Sequence, residues 1–330
     1  MKKLFVSLVA LVMATMSYAQ SSTLATLSHN GNISTFYGAS ALKDAYNAAA
    51  NGDVITLSSG TFNAVDIAKG LTIRGAGMGI DSLSNSEPTV ITGDFKINIP
   101  STVTKRLTLE GIYHNHAITV ASAFKNGTFL KDRFNRIYYS SNGTVTNLTM
   151  IHCKVAEYVQ LPENSSVSFV NCVVNGTYGS SSVWDFINCV VNMWNSHYSA
   201  YNASSSFKNC ILVFGGNGNY LSSSVVAYNC VAIGSSTAFQ NIPNTTNVVK
   251  NYTDVFKTYK GTYNDDETFE LTETAKTKFK GLDGTQVGIY GGNMPFSATP
   301  SNPQITKCNV AGKSTADGKL SVDIEVNGAE

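Results

Sequence analysis

The sequence predicts an all-β fold, and more specifically a β-solenoid, from two observations. The first is composition: the polar residues are mainly Asn, Ser, Thr and 27 Gly, whereas only 14% of the 330 residues are charged. Such polar residues favour turns and strands over long surface helices. The second is a repeat: five cysteines follow one another at intervals of 19, 17, 21 and 20 residues, each in a short apolar frame. A fixed period near twenty residues is typical of solenoids.

The charge balance argues against one class of function. The chain carries 23 Lys and Arg against 22 Asp and Glu, a formal net charge of +1. It therefore lacks the basic patch of a general nucleic-acid binder. Because 43% of its residues are hydrophobic, the chain can build a core and is not expected to be disordered as a whole.

The first residues have the pattern of a secretory signal peptide. Lys2 and Lys3 precede an apolar run over residues 4–12, and Ser17 and Ala19 place small residues at −3 and −1 of a cleavage site. The run is too short for a membrane anchor, no later run is long enough to span a bilayer, and no cysteine follows for a lipid anchor. The sequence predicts that residues 1–19 are removed and that the protein is exported, to the periplasm, the cell surface or the medium.

The next elements predict a capped start to the solenoid. Residues 41–50 place apolar side chains at i, i+3, i+4 and i+7, which indicates a short helix that stops at Gly52. A strand over residues 54–57 follows. Weaker copies of the repeat occur at residues 71–75, 89–93 and 107–111, and residues 129–134 supply the next coil.

The cysteine frames predict how the coils stack. Apolar residues recur three positions before and two positions after each cysteine, and are expected to face inward. An asparagine precedes four of the five cysteines and His152 precedes the fifth; this column is expected to form a corner. Stacked coils lie about 4.8 Å apart, and parallel Cβ vectors at that spacing are poorly aimed for disulfides. The five cysteines are therefore predicted to be unpaired: Cys153, Cys172, Cys189, Cys210 and Cys230.

After the fifth cysteine the repeat fades. Residues 240–251 have loop character, residues 284–292 are expected to form a last strand and a tight turn, and Pro295, Pro300 and Pro303 then break regular structure. Residues 304–310 and 319–326 alternate and predict a hairpin. The expected division is a β-helix domain over residues 20–298 and a C-terminal β cap or appendage over residues 299–330.

With these motifs the chain resembles the pectin-lyase-like superfamily. The resemblance rests on the helix followed by residues 51–57, 59–62 and 70–75, and on the Asn-Cys coils and the glycine-rich stretch 284–292, which are similar to uncharacterised exported β-helix proteins of Bacteroidetes. It covers residues 35–295 and implies a right-handed single-stranded parallel β-helix with a short N-terminal capping helix. The superfamily includes lyases, hydrolases, esterases, adhesins and proteins without known chemistry, so the fold alone does not select a function.

Two clusters could carry function. Glu110, His114, Asp132 and Arg133 lie on adjacent coils and could place an acid, a base and cations together as a catalytic site; a charged outer face with local ion pairs is the preferred interpretation. Trp184, Trp194, His197, Tyr198 and Tyr201 lie among Asn and Ser, as expected of a sugar-binding surface; rings packed in or against the solenoid are the alternative.

These clusters give two hypotheses of different class. The leading one is an exported β-helix that recognises glycan at its surface, since the central repeats contain no stacked carboxylate pair. The rival is a polysaccharide lyase or glycoside hydrolase. Neither cluster has a metal-ligand spacing of the zinc kind, no cofactor is predicted, and Ca²⁺ is expected only under the lyase alternative. The expected partner is a polysaccharide or glycan, with a protein partner as a further possibility and nucleic acid excluded.

Overall fold

The structure is a computed structural model that describes residues 23–79, 87–121, 123–140, 143–179, 182–193, 204–215, 219–242, 246–264, 266–301, 303–310, 313–315 and 317–327. Its helices are α1 (Ala41–Ala48), α2 (Tyr252–Val255) and α3 (Glu273–Lys278). None of the helices in these ranges is long and apolar enough to cross a membrane.

The strands, in chain order, are β1 (Leu24–His29), β2 (Asn32–Tyr37), β3 (Val54–Leu57), β4 (Gly60–Asn63), β5 (Thr72–Arg74), β6 (Thr89–Thr92), β7 (Phe95–Ile97), β8 (Leu107–Glu110), β9 (Ile112–Val120), β10 (Phe124–Leu130), β11 (Arg133–Tyr139), β12 (Val145–Ile151), β13 (Lys154–Gln160), β14 (Ser166–Val170), β15 (Val173–Val174), β16 (Thr177–Tyr178), β17 (Val183–Ile187), β18 (Val190–Met193), β19 (Ser206–Lys208), β20 (Ile211–Phe214), β21 (Val226–Tyr228), β22 (Val231–Ile233), β23 (Val248–Lys250), β24 (Gln304–Val310) and β25 (Val322–Asn327).

These strands form a parallel β-solenoid of about eight turns, as the period predicts. Sheet A has the order β2-β1-β3-β5-β8-β10-β12-β14-β17-β19-β21, and sheet B has the order β23-β22-β20-β18-β15-β13-β11-β9-β6-β4, with β7 and β16 paired beside it. Every pair from β3 to β23 is parallel, because each coil repeats the course of the one before it. At the N-terminal end β1 and β2 add an antiparallel hairpin to sheet A.

The interior consists of columns of like residues, one from each coil. Phe169, Phe186 and Phe207 are fully buried and stack with ring centres 4.7 Å and 5.0 Å apart. Two positions after each cysteine, the side chains are also fully buried: Val155, Val174, Val191, Leu212 and Ala232. The predicted inward positions are therefore confirmed, and the stacked rings add dispersion contacts to the burial of apolar surface.

The cysteine column lies at the corner between the two sheets. Cys153, Cys172, Cys189, Cys210 and Cys230 are buried and unpaired, as predicted. The backbone N–H of Cys153 donates to Cys172 Sγ at 3.3 Å, and Cys172 and Cys189 repeat this bond with the next coil at 3.4 Å. Burial raises the pKa of the Cys153, Cys189 and Cys230 thiols, because a thiolate would lose its hydration. These thiols are structural side chains.

The residue before each cysteine turns the corner in the left-handed region. Asn171, Asn188, Asn209 and Asn229 have φ of 50°, 52°, 57° and 52°, and His152 has 53°. Asparagine adopts this conformation at lower cost than most other non-glycine residues. The corner predicted from the Asn column is confirmed.

The predicted ends are partly correct. Helix α1 covers the start and buries Ala41, Leu42, Ala45 and Tyr46, which confirms the apolar face. Strands β24 and β25 form the expected hairpin. The strand expected in residues 284–292 is wrong: this stretch is a series of turns, because Gly284, Gly288 and Gly292 have φ of 78°, 81° and 78°.

Residues 252–264 and 266–299, here called the strap, fold back over the outer face of sheet B. Their apolar side chains form a second core with the outward-facing residues of the late coils. That core consists of Val173, Val190, Ile211, Val213, Val231, Ile233, Val255, Phe256, Tyr259, Phe269, Leu271, Ala275, Phe279, Val287 and Ile289. The strap was not predicted, although strands such as Ile211–Phe214 are apolar at every position, which is typical of strands covered on both faces.

The corner asparagines hold the strap in place. Asn171 Nδ2 donates to the carbonyl oxygens of Ile289 and Gly291 at 2.7 Å and 2.8 Å. Asn209 Oδ1 accepts from the backbone N–H of Leu282 at 2.9 Å. Asn171 and Asn209 thus both bond the backbone of the strap.

Candidate functional site

A single column of outward-facing residues on sheet B defines the candidate site. Strand pairing places one residue of each coil in this outer column. In order along the solenoid they are Thr61, Val90, Tyr113, Arg133, Lys154, Val173, Val190, Ile211 and Val231. The late members are apolar and covered by the strap, whereas Val90 to Lys154 remain half-buried. The change in character marks where the strap ends and an open surface begins.

A cleft of about 740 Å³ lies over this open part of the column, and we call it the sheet B cleft. Its floor is the four column residues from Val90 to Lys154. Residues 78–79 and 87–88, which precede β6, form one part of its wall, and the strap forms another. The lining residues are Met78, Gly79, Glu87, Pro88, Val90, Tyr113, Arg133, Lys154, Asp266, Glu267, Thr268, Tyr290, Phe296 and Ala298. A concave site of this size with a few polar groups matches the usual dimensions of ligand sites.

Two cations and an aromatic ring make up most of the floor. The Arg133 guanidinium carbon lies 4.1 Å from the centre of the Tyr113 ring, a cation–π contact between adjacent coils. Lys154 is the cross-strand neighbour of Arg133 on the next coil. Its Nζ donates to the Glu267 carbonyl oxygen at 3.2 Å and lies 5.9 Å from the centre of the Phe296 ring. The strap therefore fixes one end of the floor.

The strap wall presents aromatic and acidic side chains. Tyr290 donates from its hydroxyl to the Thr268 carbonyl oxygen at 2.8 Å and meets Phe296 edge to face at 6.3 Å. Burial raises the pKa of Tyr290, so its hydroxyl is neutral at pH 7 and can donate or accept. Asp266 and Glu267 belong to the strap and also line the cleft, as does Glu87, which precedes β6. The cleft thus combines ring faces, cations and carboxylates.

Of the four residues expected in a catalytic cluster, only Arg133 lines this cleft. His114 belongs to the inward-facing column beside Phe134 and Ile91. It is fully buried, its Nε2 lies 2.9 Å from the Gly93 carbonyl oxygen, and its ring meets Phe95 edge to face at 4.7 Å. Burial lowers the pKa of His114 to about 4, so the ring is neutral and donates from Nε2. The structure gives it a core position.

Asp132 lies at a corner, and Glu110 is the last residue of β8. Asp132 stands at the cysteine position of its coil, is fully buried, and accepts the backbone N–H of Ile112 at 2.8 Å. Burial raises the pKa of Asp132 well above its usual value, and the nearby Glu110 carboxylate adds to the shift. Glu110 accepts from Arg74 Nε at 2.7 Å. The four residues therefore do not converge on one site. Glu110 makes a local ion pair with Arg74, as the preferred interpretation expected, whereas a charged outer face is wrong for His114 and Asp132, which are fully buried.

The predicted aromatic surface is corrected at one position and lies elsewhere outside the described residues. Trp184 is fully buried and stacks nearly parallel to Phe169 at 6.2 Å. Its assignment to a ligand-binding surface is wrong, because the residue alternates with the outward-facing positions of β17 and points into the coil. Trp194, His197, Tyr198 and Tyr201 lie outside the described residues.

Sequence reasoning missed most of the cleft. Arg133 was a candidate catalytic residue. Tyr113 and Lys154 occupy the same position of the repeat as Arg133, one residue after the cysteine or its equivalent. Reading that phase along the coils could have grouped these three side chains. The strap wall carries no comparable signal, since Tyr290 and Phe296 reach the cleft only because the chain folds back over sheet B.

In the described part of the chain no group of three or more His, Cys, Asp or Glu side chains is arranged to hold a metal ion. No protein-family model, curated protein or solved structure matches this chain. The structure shows a parallel β-solenoid, which is consistent with the pectin-lyase-like class of β-helix. Function has to be inferred from the residues of the chain itself.

Proposed function

We propose that this protein is an exported β-helix of the pectin-lyase-like type that recognises glycan, and that the sheet B cleft is the binding site. The observation that carries the proposal is the composition of the cleft: ring faces from Tyr113, Tyr290 and Phe296 stand beside Arg133 and Lys154. Sugar rings offer C–H faces that pack on aromatic rings, and hydroxyls that bind guanidinium, ammonium and carboxylate groups.

The floor supports this use because it is rigid. Tyr113, Arg133 and Lys154 project from three consecutive strands of sheet B, whose backbones are hydrogen-bonded to one another. A site on paired strands loses little side-chain and loop entropy when a ligand binds. The Arg133–Tyr113 contact further limits the motion of the longest side chain in the cleft.

A second function, carbohydrate cleavage, is favoured by one feature of the same cleft. Glu87, Asp266 and Glu267 line it together with Arg133 and Lys154, so acids and cations face one space. Lyases and hydrolases need an acid or base at the scissile bond, and a lyase that neutralises a uronate would need Ca²⁺ or fixed cations. Product assays on bound polysaccharides distinguish cleavage from binding.

The test of the proposal is binding to a glycan array that includes neutral and acidic plant, algal and host polysaccharides, with the mature protein and matched tyrosine variants. We expect Tyr113→Ala to weaken binding about tenfold or more, since a stacked ring contributes roughly 1–2 kcal/mol. Tyr113→Phe should retain binding. Tyr228→Ala is the control, because Tyr228 is 41% exposed on the outer face of sheet A, outside the cleft.

Two outcomes would contradict glycan binding in the cleft. One is no binding to any member of the array. The other is binding that Tyr113→Ala leaves unchanged. Incubation of bound polysaccharides with the protein, followed by assays for unsaturated products and new reducing ends, distinguishes the enzyme: turnover lost in Glu267→Gln would favour cleavage over recognition.

A further inference from the structure

The sheet B cleft is closed at one end along the solenoid axis. Beyond Lys154 the outer column continues with Val173 and Val190, which are 0% and 1% exposed. They are covered by the second core, to which the strap contributes Tyr259 and Phe269. A ligand chain lying along the column therefore meets packed protein immediately after Lys154.

The contacts at this closed end come from the strap itself. The Lys154 ammonium donates a hydrogen bond to the backbone carbonyl oxygen of Glu267, and the Tyr290 hydroxyl donates one to the carbonyl oxygen of Thr268. Behind them Asn171, one coil further along the solenoid than His152, holds Ile289 and Gly291. These bonds join the wall to the solenoid corner, and nothing in them requires a ligand to be present.

The other end of the column differs. Thr61 is exposed and precedes Val90 in the column. From Val90 to Lys154 the floor crosses three strand spacings, which is about 15 Å. The floor is thus long enough for a short oligosaccharide, and along the column it continues in one direction only.

We infer that the cleft takes the end of a glycan chain, or a short oligosaccharide, rather than the interior of a polymer. The inference rests on the proposed function, since it names the form of the ligand for the same site. A terminal sugar would contact Lys154, Tyr290 and the strap wall, and the following sugars would lie over Arg133 and Tyr113 towards Thr61. An internal segment could not lie along this column, because its continuation would run into the second core.

The test asks whether the amount of bound protein follows the number of glycan chain ends or the mass of glycan. Each polysaccharide that binds on the array is partly hydrolysed, and calorimetry measures the number of protein molecules bound per unit mass before and after hydrolysis. We expect this number to rise in proportion to the number of chain ends. Purified oligosaccharides of the same sugar, from the disaccharide to the octasaccharide, should gain affinity over the first few units and then reach a plateau.

The outcomes separate the inference from the proposed function. Binding that stays constant per unit mass after hydrolysis, with affinity that still rises from hexasaccharide to octasaccharide, would overturn the inference and leave glycan recognition intact. Binding to no saccharide at all would contradict the proposed function and the inference together. Tyr228→Ala should follow the wild-type pattern in both measurements. Tyr290→Ala should lower the affinity for short oligosaccharides and for the ends of longer chains.

Discussion

At the corners of several coils, one side chain accepts the backbone N–H of the preceding coil, and three kinds of residue do so. Cys172 Sγ accepts from Cys153, Asp132 Oδ1 accepts from Ile112 at 2.8 Å, and Asn247 Oδ1 accepts from Cys230 at 2.9 Å. A small side chain with one acceptor is what the position requires, because a buried N–H without a partner costs free energy. Asp132 is therefore the acidic equivalent of the cysteines.

This position predicts the pH dependence of stability that Asp132 contributes. Burial raises its pKa above 3.8, so the folded state keeps a proton that the unfolded state loses. Its contribution is most favourable below about pH 4 and falls as the pH rises towards the folded pKa. Asp132→Asn keeps the acceptor and removes the titration. We expect the variant, relative to wild type, to gain stability between about pH 4 and pH 7, by roughly 1.4 kcal/mol for each pH unit over which only the folded state holds the proton.

Urea unfolding at about pH 4 and pH 7 measures the difference in stability between wild type and Asp132→Asn. Asp132→Ala removes the acceptor for Ile112 and should destabilise at both by about 1–3 kcal/mol. Asp185→Asn, half-buried on the outer face of sheet A, is the matched control. An equal difference between wild type and Asp132→Asn at the two pH values would show that Asp132 is ionised in the folded protein.

At the scale of elements, the strap converts a bare solenoid wall into a site with two different ends. Its side chains bury the outer column from Val173 onwards and leave the coils of Tyr113, Arg133 and Lys154 open. The corner asparagines hold it, and residues as far apart in sequence as Asn171 and Gly291 are joined by a hydrogen bond. The cleft therefore depends on how firmly these corners bind the strap.

Asn171 has two roles that substitutions can separate. Asn171→Gly keeps the φ of 50° but leaves the carbonyls of Ile289 and Gly291 without their donor. We expect a loss of about 1–3 kcal/mol in the free energy of unfolding. Asn171→Ala should lose roughly 1–2 kcal/mol more, because alanine is strained in the left-handed region. Denaturant unfolding gives both values, and limited proteolysis within the strap should accelerate in the same order.

Asn126 provides the control for these variants. It has φ of 64°, and its side-chain oxygen accepts from Asn147 Nδ2 in an exposed hydrogen bond. It belongs to β10 of sheet A, whereas the strap packs on sheet B. Asn126→Gly should therefore leave strap proteolysis unchanged. Equal effects of glycine and alanine at position 171 would refute the role of its backbone conformation.

At the scale of the whole molecule, the solenoid and the C-terminal hairpin behave differently. Val322, Ile324 and Val326 of β25 are 50%, 53% and 52% exposed. The hairpin is a two-stranded sheet of its own, and such a sheet contributes little stability by itself. By contrast Lys131 Nζ donates to the Thr299 carbonyl oxygen at 2.8 Å, so the chain is tied to the solenoid up to that point.

A chain that ends at Pro303 should therefore keep the unfolding midpoint of the full-length protein, within about 0.5 kcal/mol in stability. Thermal unfolding followed by circular dichroism measures it. A chain that ends at Leu282 also loses the partners of Asn171 and should unfold at lower temperature. A clear drop for the first truncation would mean that the hairpin packs against the solenoid, contrary to the predicted boundary near residue 298.

Much of the fold could be predicted from the sequence because a solenoid repeats its contacts. Phe169, Phe186 and Phe207 recur at one phase of the period, and neighbouring coils place the same phase side by side. The inward columns, the Asn corner and the unpaired cysteines follow from that spacing. Trp184 was misassigned because an aromatic ring among polar residues looks the same in sequence whether it faces inward or outward.

The sequence by itself determined the coil: its period, its inner columns, its corner and its N-terminal cap. The period, columns and corner are set by contacts between residues about twenty positions apart, which leave a periodic trace in the chain, and the cap is a helix whose apolar face recurs at i, i+3, i+4 and i+7. Only the tertiary structure decided where the strap lies, which coils it leaves open, and that Tyr290 and Phe296 face Arg133 and Lys154. Those contacts join residues far apart in sequence, such as Asn209 with Leu282 and Lys154 with Glu267, and each occurs once, so no repeat in the sequence records them.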